Sequence, residues 1–216
     1  MPRLLLLTLL LAACQTTPNK APTANTSAGA SAEPAAAEPA PAGPAAAGPA
    51  AAVPVRASDE ARPSPNAVAG QTIGTTQVTL TYGRPSVRGR AVFGPDSTAL
   101  VPYGQVWRLG ANEATVATFS QDVRVAGQPL AAGTYAVFAV PTAGAWTVVF
   151  NRTAEQWGAF KYDPQQDALR VTATPEALAQ PVETFEIGFD SVTDTSAEMV
   201  FSWDRVRVPV RIETAG

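Results

Sequence analysis

Residues 133–150 read GTYAVFAVPTAGAWTVVF. Two runs rich in β-branched and aromatic side chains, Gly133–Val140 and Ala145–Phe150, flank Pro141-Thr-Ala-Gly144, a turn built from residues that turns demand. The sequence therefore predicts two antiparallel strands here. The same period of two recurs on both sides. In Gln77–Tyr82, Val78, Leu80 and Tyr82 point one way and the threonines the other. Thr115–Phe119 and Val123–Val125 flank Ser120–Asp122, which reads as a hairpin turn. Further strands are expected at Leu169–Thr172, Thr184–Phe189, Ala197–Trp203 and Val206–Ile212. Helical character is confined to short pieces at Thr153–Gly158 and Pro175–Ala179. Short, evenly spaced strands with turn signals between them predict an all-β fold, a single jelly-roll-like β-sandwich.

The last strands sort into faces. Phe185, Ile187 and Phe189 share one side, as do Ala197, Met199, Phe201 and Trp203, and as do Val206, Val208, Val210 and Ile212; these are the expected core. The opposite sides carry Glu186, Asp190, Glu198 and Asp204 against Arg205, Arg207 and Arg211. Alternating signs on neighbouring strands suit a solvated face of cross-strand ion pairs.

Working outward to the amino terminus, residues 1–14 read MPRLLLLTLLLAAC. A basic start, a short apolar run and small residues before a cysteine form a secretory signal layout, with an apolar run far below the ~20 residues that span a bilayer. Leu11-Ala12-Ala13-Cys14 resembles the bacterial lipobox, which implies a signal peptide over 1–13 and lipid on Cys14. Multiple acyl chains would hold the protein on a membrane. Gln15, rather than Asp, after the cysteine resembles the pattern routed to the outer membrane, so a lipoprotein of the cell envelope facing the periplasm is expected. From Cys14 to Pro63 the chain is dominated by Ala and Pro, with no aromatic residue to build a core; a disordered tether is expected. That leaves residues 64–216 as one domain with a sizeable core.

Composition then removes chemistry. The chain has no histidine and one cysteine, Cys14. That excludes a Ser-His-Asp triad, histidine ligation of zinc, cysteine catalysis within the domain and any intrachain disulfide. No phosphate-cradling GxxxxGK[ST] loop occurs, Gly83, Gly89 and Gly94 miss the GxGxxG spacing, and no DxDxDG calcium loop is present. No metal and no cofactor is expected. From Asn66 onward there are 11 Lys and Arg against 14 Asp and Glu, with no basic stripe for nucleic acid. Asn151-Arg152-Thr153 matches a glycosylation sequon and is read as chance. What remains is paired-carboxylate chemistry, with Glu113, Asp163 and Asp167 outside the salt ladder of the strands.

Local charge picks out one region. Residues 84–108 hold Arg84, Arg88, Arg90 and Arg108 against Asp96 alone, and lead into VWRLGANEA, residues 106–114. As a pocket, Trp107 would supply a flat wall, Arg108 with Arg84 or Arg88 the donors, and Asn112 and Glu113 the orienting partners for a sugar or small anion. As scaffold, Trp107 would be core, Arg108 would pair with Glu113 or Asp163, and Asn112 would make a left-handed turn. WGAFKYD, residues 157–163, offers a second wall through Trp157, Lys161, Tyr162 and Asp163, or else a packed cap over the open end of the sandwich. The ligand reading gains if the two loops meet.

Five motifs in register, TYGRPSVRGRAVFG (81–94), LVPYGQVWRLGANEATVATF (100–119), LAAGTYAVFAVP (130–141), WTVVFN (146–151) and QWGAFKYDPQQDALRV (156–171), resemble the DUF2911 family of bacterial exported proteins. The resemblance runs from about Ser64 to Ile212. It implies a β-sandwich and no established activity. Leu130-Ala131-Ala132 lacks the proline usual before the Gly-Thr-Tyr of the family. Two function classes follow: a noncatalytic module binding an envelope glycan, a small anion or a protein partner, and a carboxylate-dependent hydrolase of an envelope glycan. A purely structural envelope protein is the third, and it predicts no pocket near Arg108.

Overall fold

The structure is a computed structural model that describes residues 62–215. The expected signal peptide, Cys14 and all but the end of the expected tether lie outside the described residues. The strands are β1 (Asn66–Ile73), β2 (Thr76–Gly83), β3 (Phe93–Gly94), β4 (Val101–Pro102), β5 (Thr115–Phe119), β6 (Val123–Val125), β7 (Gln128–Leu130), β8 (Gly133–Val140), β9 (Trp146–Asn151), β10 (Asp167–Ala173), β11 (Glu176–Asp190) and β12 (Ser196–Thr214). They form a six-stranded sheet of order β1-β2-β5-β8-β9-β10, a four-stranded sheet of order β11-β12-β6-β7, and the small parallel pair β3-β4. The two large sheets enclose one core, so the domain is the expected all-β sandwich. Its centre holds Leu80, Val137, Val148 and Phe150 from the larger sheet, and Phe185, Met199, Phe201 and Ile212 from the smaller.

Residues 133–150 form the expected antiparallel pair, with Val137 opposite Phe150 and Ala139 opposite Val148. β12 merges the two strands expected at 197–203 and 206–212, yet both survive as arms. A straight strand of 19 residues would separate its ends by about 60 Å. Instead Thr214 N donates to Thr195 O at 2.9 Å, so β12 doubles back near its middle. The reversal falls at Asp204, whose φ is 51°. The first arm and the start of the second, at Val206 and Arg207, pair with β11, and the end of the second, Ile212–Thr214, pairs with β6. On the outer face Arg207 gathers Glu176 at 2.6 Å, Asp190 at 2.9 Å and Glu198 at 3.4 Å, the expected ladder of opposite charges.

Three local expectations are corrected. Ser120–Asp122 is no hairpin turn: β5 pairs with β2 and β8, whereas β6 pairs with β12 and β7, so the chain crosses there from one sheet to the other. Thr153–Gly158 forms no helix; its backbone is turned toward the 112–114 segment instead. Residues 176–179 belong to β11, because Glu176 and Ala177 pair with Arg207 and Val206, and that pairing outweighs the helix preference of Ala and Leu. The one helical element described is a 3-10 turn at Pro164–Gln166, capped by Asp163 Oδ1, which accepts from Gln165 N at 2.9 Å.

Candidate ligand cleft

The 106–114 segment is fixed from both ends. Trp107 exchanges two backbone hydrogen bonds with Ala139 of β8, at 2.7 and 2.8 Å. Thr115 donates through N to Arg108 O at 3.1 Å and through Oγ1 to Leu109 O at 2.6 Å. Between these anchors, Leu109 and Asn112 take left-handed φ values of 50° and 64°, a conformation that is uncommon outside glycine and needs surrounding structure to hold it. The turn presses against β2, and a Cβ on Gly83 would run into the Ala111 carbonyl oxygen.

Trp107 is core. Only 6% exposed, it stacks on Trp203 at 5.8 Å and meets Phe93, Trp146 and Phe185 edge-on. Its Nε1 donates to Gly110 O at 3.1 Å. Asn112 makes the expected left-handed turn, and its Nδ2 donates to Ser64 O at 3.0 Å. In these two respects the segment is scaffold.

Arg108 behaves differently. The ion pair expected from a scaffold role is absent: Glu113 is held by Arg62, at 3.0 and 3.1 Å, and Asp163 caps the 3-10 turn. Among the described residues no acceptor binds the Arg108 side chain. Its Nε is sealed from water without a partner, while its terminal nitrogens reach solvent. Burial pulls its pKa below the usual guanidinium value, and it remains charged at neutral pH.

Arg108 borders a cleft of about 230 Å³, walled also by Arg90, Leu100, Trp107, Asn112 and Trp203. Among the described residues no carboxylate lines it. Trp203 Nε1 is a second donor that is buried and without an acceptor. Arg90 is tethered on one side only, through Nε to Val87 O at 3.0 Å and Nη2 to Ser86 O at 2.6 Å. The cleft thus collects donors and two cations, an arrangement complementary to an anion or an oxygen-rich group. Sequence reasoning placed Arg90 in the basic stretch but not in the site, and placed Trp203 in the core. Its lack of an acceptor has no sequence signature.

The two loops do meet. Ala114 N donates to Gln156 O, and Gly158 N to Asn112 O, both at 3.0 Å. Their side chains nevertheless diverge. Trp157 and Lys161 border a separate depression. Tyr162 packs edge-on against Phe138 at 5.0 Å and donates to Asp167 Oδ2 at 2.7 Å. Burial, then Asp167, raises its pKa. Ala159 and Tyr162 thereby cover the outer face of β8 and β9, not an open end of the sandwich, while Trp157 and Phe160 stay outside. Arg84 Nε donates to Phe185 O at 3.2 Å and joins β2 to β11. Arg88, with φ at 50°, is bound through its N–H to Glu183 Oε1 at 2.9 Å. Neither arginine borders the cleft.

The acids singled out for hydrolysis are all engaged: Glu113 with Arg62, Asp163 with its own turn, and Asp167 with Tyr162, Arg170 and Asn151. Among the described residues no group of three or more His, Cys, Asp or Glu could hold a metal ion.

The family model described as "Protein of unknown function (DUF2911)" matches residues 64–212. The chain belongs to the DUF2911 family. The match opens two residues before β1 and ends within β12, so the DUF2911 domain coincides with the sandwich. No curated protein and no solved structure matches the chain.

Proposed function

We propose that this DUF2911 protein is a noncatalytic binding module of the cell envelope, which takes a small anion or oxygen-rich group in the Arg108 cleft. The observation that carries the reading is Arg108 itself: a half-buried guanidinium that, among the described residues, has no acceptor and faces a cleft bordered by no carboxylate. An unpaired buried donor costs about 1–3 kcal/mol, and a ligand oxygen would recover part of that. The hydrolase alternative requires two acids flanking a scissile bond, and the three acids available to it are tied to partners outside the cleft.

The test is a thermal-shift titration of the full chain with inorganic phosphate, sulfate and succinate, each against sodium chloride of equal ionic strength. At a concentration of about one hundred dissociation constants, a native-state ligand stabilises by about 2.7 kcal/mol. At least one anion should raise the melting temperature, and Arg108→Met should abolish the rise. No response to any of the three, or a full response in the variant, overturns the reading.

Placement in the envelope rests on residues 11–14, where a lipid on Cys14 would anchor the chain to the outer membrane through the Ala/Pro tether. Cys14→Ser should move the protein from the membrane fraction to the soluble periplasm; continued sedimentation with membranes would refute the anchor.

A further inference from the structure

Of the four tryptophans, Trp107, Trp146 and Trp203 are 6%, 3% and 3% exposed, and Trp157 is 56% exposed. Three residues on, Phe160 is 85% exposed. Every other aromatic side chain of the described residues is buried or half-buried, so two open rings on one loop call for a cause. The loop places them deliberately. Gly158 between them has φ at 65°, and a Cβ there would strike the Phe160 ring at 2.9 Å. Phe160 therefore lies over the Gly158 backbone, while the Arg62 guanidinium sits 5.9 Å over one face of the Trp157 ring.

The two rings border a depression of about 350 Å³, whose remaining walls are Thr153, Glu155, Gln156 and Lys161. Gln156 adds an acceptor in need of a donor. Its Nε2 donates to Thr153 O at 2.8 Å; a carbonyl only accepts, so the amide orientation is fixed and Oε1 is the atom left buried without a partner.

We propose that this depression is a saccharide-binding platform, in which Trp157 and Phe160 stack against the apolar face of a pyranose ring and Gln156, Glu155 and Lys161 take its hydroxyl or amide edge. It lies outside the Arg108 cleft and stands apart from the anion reading. The composition selects the ligand. A sugar ring presents C–H groups on its faces and hydroxyl donors around its rim, which is the pairing of aromatic walls and polar margin found here. An anionic bilayer surface finds no net attraction here, because Glu155 offsets Lys161 at the margin of the depression. A protein partner of ordinary stability needs about 800 Å² on each side, more than two rings of one loop present.

The test uses the full chain and acrylamide quenching, which reads Trp157 selectively because the other three indoles are buried. Chitotriose, cellotriose and maltotriose are titrated in turn. At least one should protect Trp157 from quenching and shift its emission to the blue. Phe160→Ala and Gln156→Leu, which keep the reporter and leave the core untouched, should each weaken that binding by about tenfold, equal to about 1.4 kcal/mol. Indifference to all three sugars, protection undiminished in both variants, or protection only by phosphatidylethanolamine–phosphatidylglycerol vesicles overturns the proposal.

Discussion

Arg108 and Trp107 are neighbours in sequence with opposite energetic characters. Trp107 satisfies its one polar atom at Gly110 and gives its ring area to the core, so every part of it serves the fold. Arg108 leaves a buried donor unmatched and makes no ion pair among the described residues. Removing a buried charge that lacks a partner, while keeping the volume of its stem, is neutral or stabilising. Arg108→Met is therefore expected to raise the ligand-free melting temperature, by about 2–4 °C for each kcal/mol recovered in a domain of this size. A fall of more than about 2 kcal/mol in chemical denaturation would return Arg108 to the scaffold. A residue whose loss stabilises the empty protein and removes its ligand response marks a site that trades stability for recognition.

At the level of elements, the alternation of polar and apolar residues carries most of the architecture. The core side of β12 shifts from odd positions, ending at Trp203, to even positions, beginning at Val206, and such a shift of parity requires an interruption at residues 204–205. Asp204 supplies it, in a left-handed conformation that Asp tolerates and β-branched residues resist. Asp204→Gly should leave stability unchanged or raise it by a few tenths of a kcal/mol, whereas Asp204→Val should lower it by about 1–2 kcal/mol in urea unfolding. Equal effects of the two would remove the turn from the account. Alternation is blind to partners, however. Ser120–Asp122 carries turn residues whether the chain returns to the same sheet or crosses to the other, and only the docking of β6 on β12 decides. β1 went unread because its sequence, NAVAGQTI, packs small Ala67 and Ala69 against the core and leaves Val68 65% exposed. The candidate site was legible as a basic segment beside an aromatic one. Which arginine lacks a partner was not, since that depends on Arg62, 51 residues from Glu113 in sequence, having claimed the carboxylate.

Across the whole molecule, the tether and the sandwich do not part where composition suggests. The Ala/Pro-rich stretch was expected to run free to Pro63, yet its last residues are fastened to the domain. Arg62 pairs with Glu113 at 3.0 Å and lies 5.9 Å over the Trp157 ring. Pro63 O accepts from Arg88 at 3.4 Å, Ser64 O from Asn112 at 3.0 Å, and Pro65 O from the Arg84 amide at 2.9 Å. These four residues form a strap across the β2 end of the larger sheet, and Ser64 forms part of the cleft wall. The strap holds Asn112 and Glu113 in place, and with them the strained turn that positions Arg108. A chain trimmed to begin at Asn66 keeps every strand but loses the whole strap, and each hydrogen bond lost is worth about 0.5–1.5 kcal/mol. It should melt measurably below a chain that begins at Arg62, with a loss of about 2–4 kcal/mol, and should bind anions more weakly because the cleft has lost a wall. Identical melting and identical anion response in the two chains would show that the tether ends at Pro65 in function as well as composition. A difference in binding larger than the difference in stability predicts would instead make the strap part of the site.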